Sequence, residues 1–240
     1  MLRKLTAIVL HTMKYKESSL LVHAYTDVSG RQTYVVNGVR SEKNKAGMAL
    51  FQPLTLLDVV AYHNPKSDLQ RMTEYRLVQP LQSIPFDVIK NALALFMGEV
   101  LYKTIREHEP NEKLFDFLYR SIIDFDEMSA GVANFHLYFL VHLARYLGYA
   151  PGNGFDGESY FDVQAGQFTP LQPLHDSFFD PQQTQLFAAL LNAVPATLPQ
   201  LALNREQRNR FVENMLRFLN YHFDTPVPIR SAAVLQEIFT

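Results

Sequence analysis

The sequence contains no cysteine and no tryptophan among its 240 residues. Without a thiol, the chain can form no disulfide, no cysteine-ligated zinc site, no iron–sulfur cluster and no thiol nucleophile. The apolar stretch at residues 7–10 is too short to be the core of a secretory signal. No apolar run reaches the roughly 18 residues that span a bilayer. These absences predict a soluble, cytoplasmic protein.

Positive charge is concentrated in the N-terminal third, although the formal net charge of the whole chain is −2. Residues 1–80 carry 11 Lys and Arg against 6 Asp and Glu, a net charge of +5. The remaining residues carry 11 against 18, a net charge of −7. A basic segment joined to an acidic remainder indicates a polyanion-binding module beside a part with another role. Chance variation of charge between small domains is the alternative.

Residues 1–80 show strand-like patterns separated by turns. The clearest turn is Asp27 to Gly30, because Asp supplies a local hydrogen bond and Gly a left-handed position. The predicted strands cover residues 5–11, 20–26, 31–39, 54–62 and 69–79. A closed barrel and a sandwich both fit this pattern. Five strands in about 80 residues is the size of an OB-fold, a small barrel that binds oligonucleotides across one face.

From residue 81 onward the apolar period becomes helical. Asp87 is a capping residue, and the predicted helices cover residues 88–105, 112–124, 132–147, 181–192, 204–223 and 231–239. Residues 151–180 are irregular and look like a small β-ribbon. The predicted fold class is therefore α+β. An N-terminal five-stranded OB-fold barrel at 1–80 precedes a C-terminal helical bundle at 81–240, which carries the ribbon insert at about 151–180.

The basic residues of the first domain gather in predicted loops and on the last predicted strand. The candidate phosphate contacts are Lys14, Lys16, Arg31, Arg40, Lys43, Lys45 and Arg71. Ordinary solvated charge is the alternative for the loop cations. Tyr15, Tyr34 and Tyr75 could stack on bases, with core packing as the alternative for each. The alternation of the last strand places residues 69, 71, 73, 75 and 77 on one face.

Patterns for catalysis and metal binding are weak. Asp124, Asp126 and Glu127 form an acidic cluster that fits a helix end better than a metal or acid/base site. His11 and His23 could be neighbours across a hairpin, but no third ligand is evident. We therefore predict a protein with no catalytic residues, no metal and no cofactor. A protein-interaction adaptor whose barrel binds a protein partner, and an unrecognised hydrolase, are the competing classes.

Several stretches, taken in order, resemble the RecO family of bacterial recombination mediators. They are Tyr15-Lys16-Glu17-Ser18-Ser19-Leu20-Leu21-Val22, Tyr25-Thr26 before Gly30-Arg31, Asn37-Gly38-Val39-Arg40-Ser41, Phe51-Gln52-Pro53-Leu54, Leu147-Gly148-Tyr149-Ala150-Pro151 and Met215-Leu216-Arg217-Phe218-Leu219. The resemblance implies a DNA repair and recombination protein that binds single- and double-stranded DNA and anneals complementary strands. It also implies help in loading RecA onto SSB-coated strands. RecR and the SSB C-terminal tail are the implied partners, and the implied location is cytoplasmic and nucleoid-associated.

The chain departs from the family in one place. Many RecO proteins hold zinc with four cysteines after Leu-Gly-Tyr-x-Pro, where this sequence has Gly-Asn-Gly-Phe-Asp-Gly and a predicted hairpin. We therefore expect a metal-free ribbon held by packing of Phe155, Tyr160, Phe161 and Phe168. For the SSB tail, Arg145 with Tyr146 is the candidate site. An ordinary helix-surface pair near a C-terminal cap is the alternative there.

Overall fold

The structure is a computed structural model that describes residues 1–40, 42–223 and 228–238, without the side chains of residues 42–46 and 238. The chain folds into two compact units, Met1–Glu127 and Met128–Thr240. A closed five-stranded barrel is followed by helices, so the predicted fold class is confirmed. The first two helices belong to the same compact unit as the barrel. A domain boundary near residue 80 stays a prediction.

The barrel consists of Leu2–Tyr15 (β1), Ser19–Thr26 (β2), Gly30–Val36 (β3), Leu56–Tyr62 (β4) and Leu69–Leu77 (β5). The strand order is β1-β2-β3-β5-β4, with β3 and β5 parallel and the other neighbours antiparallel. The first half of β1 pairs with β4 and its second half pairs with β2. A 3-10 segment, Glu42–Phe51, lies between β3 and β4, where the sequence predicted only a loop.

Strand alternation fills the barrel with one apolar face of each strand. Val9, Val22, Val36, Val59 and Met72 are among the buried side chains inside. Because side chains alternate across a strand, the residues between them point to the outside of the barrel.

A bulge in β5 breaks the expected alternation of that strand. Met72 pairs with Ala61 but Glu74 pairs with Val60, so Thr73 is the extra residue. The extra residue turns Tyr75 toward the core, where its ring lies 4.8 Å from that of Phe51. The prediction that all the odd-numbered residues of this strand share one face is therefore wrong beyond Thr73.

Two helices complete the first unit, Val88–Thr104 (α1) and Glu112–Glu127 (α2). Asp87 caps α1 as predicted, because its carboxylate accepts a hydrogen bond from the Lys90 backbone N–H at 2.9 Å. α1 lies close against the barrel at Gly98. A Cβ atom at that position would stand 2.7 Å from the Cβ atom of Pro53.

The second unit contains the helices Phe135–Tyr146 (α3), Pro181–Leu191 (α4), Arg205–Tyr221 (α5) and Ser231–Ile238 (α6). α3 is buried on nearly every side, in agreement with its apolar sequence. The ribbon is a three-stranded sheet of Tyr160–Asp162 (β6), Gln167–Thr169 (β7) and Phe178–Phe179 (β8), in the order β7-β6-β8. Across the described part of the chain, no helix combines the length and hydropathy of a membrane span.

Candidate nucleic-acid interface

Three cations meet at the turn between β1 and β2. Lys14 lies near the end of β1 opposite Leu20, and Lys16 begins the turn. Arg40, which follows β3 in the chain, lies beside them. Its guanidinium Nη1 donates a hydrogen bond to the Lys16 carbonyl oxygen at 3.1 Å, and its backbone N–H donates to the Ser18 carbonyl at 3.0 Å. We call Lys14, Lys16 and Arg40 the turn cluster.

The turn cluster is held by interactions that fix its shape. Lys16 has a φ of +50°, a left-handed conformation that costs an L-residue about 1 kcal/mol. The hydrogen bond from Arg40 to the carbonyl of this residue ties the turn to the segment after β3. A second tie joins the Ser19 hydroxyl to the Asn37 side-chain oxygen at 3.0 Å. The backbone of the turn and the Arg40 guanidinium are therefore held in place by the fold itself.

Among the described residues, no carboxylate lies within ion-pair distance of Lys14, Lys16 or Arg40. By contrast, Arg76 on β5 pairs with Asp58 at 3.0 Å. Phosphate groups attract such uncompensated cations and release counterions when they bind.

Two other groups of predicted cations stand apart from the turn cluster. Arg71 is exposed on β5, where it is the register partner of Tyr62 on β4 and Val35 on β3. Lys43 and Lys45 belong to the 3-10 segment, and their side chains lie outside the described residues. Of the seven candidate cations, the structure therefore places Lys14, Lys16 and Arg40 together at the β1–β2 turn and Arg71 separately on β5.

Arg31 lies at the end of the β2–β3 hairpin that is away from the turn cluster, and its side chain stabilises the fold. Its guanidinium donates hydrogen bonds to the carbonyl oxygens of Tyr102, at 2.8 Å, and of Ile105. The guanidinium carbon also lies 4.8 Å from the centre of the Tyr102 ring. Burial lowers the pKa of this arginine below its usual value. Because Arg31 holds the last turn of α1, we leave it out of the proposed interface.

His11 and His23 are register partners, as the hairpin predicted, but they form part of the contact with α1. Their rings lie 4.6 Å and 4.8 Å from the ring of Tyr102. Burial, together with the nearby charges of Arg31 and His11, lowers the pKa of His23 to about 4. Among the described residues, no three His, Asp or Glu side chains are placed to hold a metal ion.

The tyrosines differ in whether their rings can reach a base. Tyr34 is only 2% exposed inside the barrel, so the core alternative is confirmed for it. Tyr75 packs on Phe51, and Tyr15 is partly buried beside Lys16. Tyr62, which was not among the predicted residues, is 50% exposed. The signal was present, because residues 57, 59 and 61 form the inner face of β4 and residue 62 must point outward.

The candidate pair for the SSB tail lies at the end of α3 in the second unit. The Arg145 guanidinium donates a hydrogen bond to the Leu191 carbonyl at 3.1 Å, at the C-terminus of α4. Tyr146 is 39% exposed. Arg145 is therefore partly engaged in capping a helix, and a role of this pair in partner binding stays a prediction.

Aromatic packing holds the ribbon of β6, β7 and β8 together. Phe161 is fully buried, and its ring lies 4.8 to 5.5 Å from the rings of Phe168, Phe179, Phe187 and Phe218. Phe155 and Tyr160 add edge contacts to Phe168 and Phe178. The Asn153 amide also forms two hydrogen bonds with the Phe168 backbone, at 2.8 and 3.1 Å. This amide ties the glycine-rich loop to β7.

We predict that chelation leaves this ribbon intact. Treatment with EDTA should change the thermal unfolding midpoint by less than about 1 °C, because the ribbon is held by aromatic side chains. Phe161→Ala should instead cost about 3 to 5 kcal/mol, as expected for a large buried aromatic. Differential scanning calorimetry measures both. A clear fall of the midpoint with EDTA alone would contradict the metal-free ribbon.

Comparison with known proteins gives matches along nearly the whole chain. Residues 1–81 match the family model described as Recombination protein O N terminal, and residues 85–230 match Recombination protein O C terminal. The DNA repair protein RecO of Bacteroides fragilis is 37% identical over 242 residues, covering all of both chains. The proteins of the same name from Phocaeicola vulgatus and Flavobacterium psychrophilum are 35% and 32% identical, covering 100% and 99% of both chains.

Proposed function

Because the chain belongs to the RecO family, we propose that it is a DNA repair and recombination mediator that binds single- and double-stranded DNA. It would anneal complementary strands and help RecA to load on SSB-coated DNA, with RecR and the SSB C-terminal tail as partners. The observation that carries the DNA-binding part is the turn cluster. It places three cations, none of which forms an ion pair with another described residue, at one end of an OB-fold barrel.

Annealing follows from charge neutralisation at such a surface. Two complementary strands repel each other through their phosphates, and this repulsion falls when protein cations replace the counterions. A barrel that binds phosphates without closing around the bases leaves the base edges free to pair. The proposal therefore needs no catalytic residue.

An annealing assay tests the proposal directly. The rate of duplex formation between complementary oligonucleotides is measured with and without this protein, on bare strands and on strands coated with SSB. We expect acceleration in both cases. No acceleration in either case would exclude the mediator. Strong binding of a partner protein without salt-sensitive DNA binding would favour the alternative, a protein-interaction adaptor.

We predict that the turn cluster sets the salt dependence of DNA binding. In the Lys14→Ala/Lys16→Ala double variant, the slope of log affinity against log salt should decrease by about 1.4 for a single strand, since each lost phosphate contact removes about 0.7. Fluorescence anisotropy with a labelled oligonucleotide across several salt concentrations measures the slope.

The matched control removes two exposed cations from α2 of the same unit. The Lys113→Ala/Arg120→Ala variant loses the same formal charge, and both residues are exposed. Its slope should stay within about 0.3 of the unaltered protein. Equal reductions in the two double variants would show that overall charge, and not the turn cluster, determines binding.

A further inference from the structure

A band of mostly exposed side chains runs around the outside of the barrel. Across the five strands its members are register partners, in the order Met13, Leu21, Val35, Arg71 and Tyr62. Register partners on neighbouring strands point to the same side of a sheet. The residues next to them in sequence, such as Leu20, Val36 and Met72, are buried inside. The five partners therefore form one continuous outer surface, which we call the outer band.

The outer band is unusually apolar for a surface that the protein leaves uncovered. Tyr62 is 50% exposed and Met13 is 47% exposed. Leu69, two residues before Arg71 on β5, is 43% exposed. The barrel core beneath is already filled by other side chains, so the fold does not require an aromatic residue here. Leu21 and Val35 are partly buried, but Tyr62 and Leu69 place exposed apolar groups beside Arg71 on adjacent strands, which is typical of a binding surface.

The centre of the band has two planar groups side by side. Tyr62 offers an aromatic face, and the neighbouring Arg71 offers a guanidinium plane. Both kinds of group stack on nucleic-acid bases, and aromatic stacking tolerates any base because every base has a π face. Among the described residues, neither Tyr62 nor Arg71 has an aromatic or ionic partner that would occupy its planar face.

One end of the band lies next to the turn cluster. Met13 at one end precedes Lys14 in the chain, and Val35 lies two residues before Asn37, which is tied to the turn through Ser19. From Tyr62 to Met13 the band crosses four strand spacings, which is about 19 Å along the barrel surface. This length suits a short single strand, since one OB-fold contacts at least about four nucleotides.

We infer that the outer band is a stacking platform for the unpaired bases of single-stranded DNA, centred on Tyr62 and Arg71, with the phosphates of the same strand on the turn cluster. This inference rests on the proposed function. Duplex DNA cannot use the platform, because its bases are already stacked on each other. The platform would therefore bind single strands more tightly than duplexes. It would hold the bases on side chains, away from the protein backbone, until they pair.

The test separates base stacking from phosphate binding. Anisotropy titrations compare a 15-nucleotide thymidine oligomer with an abasic oligomer of equal length, in the intact protein and in the Tyr62→Leu variant. We expect about a tenfold loss of affinity for the thymidine oligomer. Affinity for the abasic oligomer and the salt slope for both oligomers should not change. Tyr62→Phe should bind like the unaltered protein, because it keeps the ring.

A matched control is Tyr221→Leu, since Tyr221 is also 50% exposed but lies on α5 in the second unit. It should leave both affinities unchanged. The inference is overturned if Tyr62→Leu binds the thymidine oligomer normally, or if it weakens both oligomers equally. It is also overturned if the variant only changes the oligomeric mass, which would assign the band to a second copy of the chain. If the intact protein binds neither oligomer, the proposed function itself fails.

Discussion

Gly30→Ala is expected to lower the free energy of unfolding by about 4 kcal/mol, a large share of the 5 to 15 kcal/mol that is typical of a native protein. Two costs add at this position. Gly30 has a φ of +58°, which an L-residue adopts only with strain. A Cβ atom there would also stand 2.4 Å from the Glu109 carbonyl oxygen and 2.8 Å from the His108 carbonyl carbon.

At Gly30 the β2–β3 hairpin packs closely against the segment that follows α1. The next residue, Arg31, donates its backbone N–H to the Glu107 carbonyl at 3.2 Å. The Arg31 carbonyl lies 2.8 Å from His108 Nδ1. A methyl group at residue 30 meets backbone atoms on the other side, and backbone cannot move aside without breaking these contacts. Overpacking of this kind typically costs 1 to 3 kcal/mol or somewhat more.

Gly38→Ala is the matched control. Gly38 has a φ of +73°, but among the described residues no atom beyond its chain neighbours lies within 4 Å of the place its Cβ would take. This variant should therefore lose only the conformational cost of about 1 to 2 kcal/mol. Urea unfolding followed by circular dichroism measures both variants. Similar losses in Gly30→Ala and Gly38→Ala would show that the hairpin does not press against the segment after α1.

Asp126→Ala is expected to cost about 3 kcal/mol, because this buried carboxylate organises the connection from the barrel to α1. It accepts hydrogen bonds from the backbone N–H groups of Gln82, Ser83 and Ile84 at 2.6 to 2.9 Å. Each buried donor left without a partner costs about 1 to 3 kcal/mol, less where water replaces the acceptor. Asp126 thus lies at the end of α2, as predicted for the acidic cluster, but its carboxylate binds the segment before α1 and does not cap the helical segment that follows.

The buried side chain of Lys90 increases the loss of stability expected for Asp126→Ala. Its ammonium is buried and donates to the Ser83 hydroxyl at 2.6 Å and to the Asp126 carbonyl at 2.8 Å. Burial lowers the pKa of Lys90, while the negative charges of Asp126 and Asp87 oppose that shift. Removing the Asp126 carboxylate leaves a buried cation without its main counter-charge. Asp124→Ala, at an exposed position on the same helix, is the control and should change stability by less than about 0.5 kcal/mol.

The effect of Asp126→Ala should depend on pH. Burial alone would raise the pKa of Asp126, but hydrogen bonds from the backbone N–H groups of Ile84, Gln82 and Ser83 outweigh it and hold the pKa below its usual value. The stabilisation is therefore complete above the unfolded pKa of about 3.9 and is lost as the pH falls through the folded value. Unfolding measured at pH 7 and at pH 3 should show a smaller difference between the two proteins at pH 3. An undiminished difference at pH 3 would mean that the ionised carboxylate is not the cause.

Local sequence patterns were sufficient for most of the secondary structure. Runs of β-forming residues at 20–26 and 54–62 predicted β2 and β4 within two residues, and capping Asp87 predicted the start of α1. These features depend on neighbours in the chain, so a single sequence contains them. The bulge at Thr73 was not predictable in this way, because it exists only relative to the pairing of β5 with β4.

The candidate site also combines features that the sequence predicted with features that depend on the tertiary structure. The charge difference between the two parts of the chain and the absence of cysteine were properties of the sequence, and they indicated a polyanion-binding barrel and a ribbon without thiolate ligands. Tertiary structure alone decided that Arg40 joins Lys16, that Arg31 serves α1, and that Tyr62 stands beside Arg71. The physical reason is the distance along the chain between the residues that interact. Composition and periodicity are set by residues close together in the chain, whereas strand register and hydrogen bonds to distant carbonyls bring together residues that no local pattern connects.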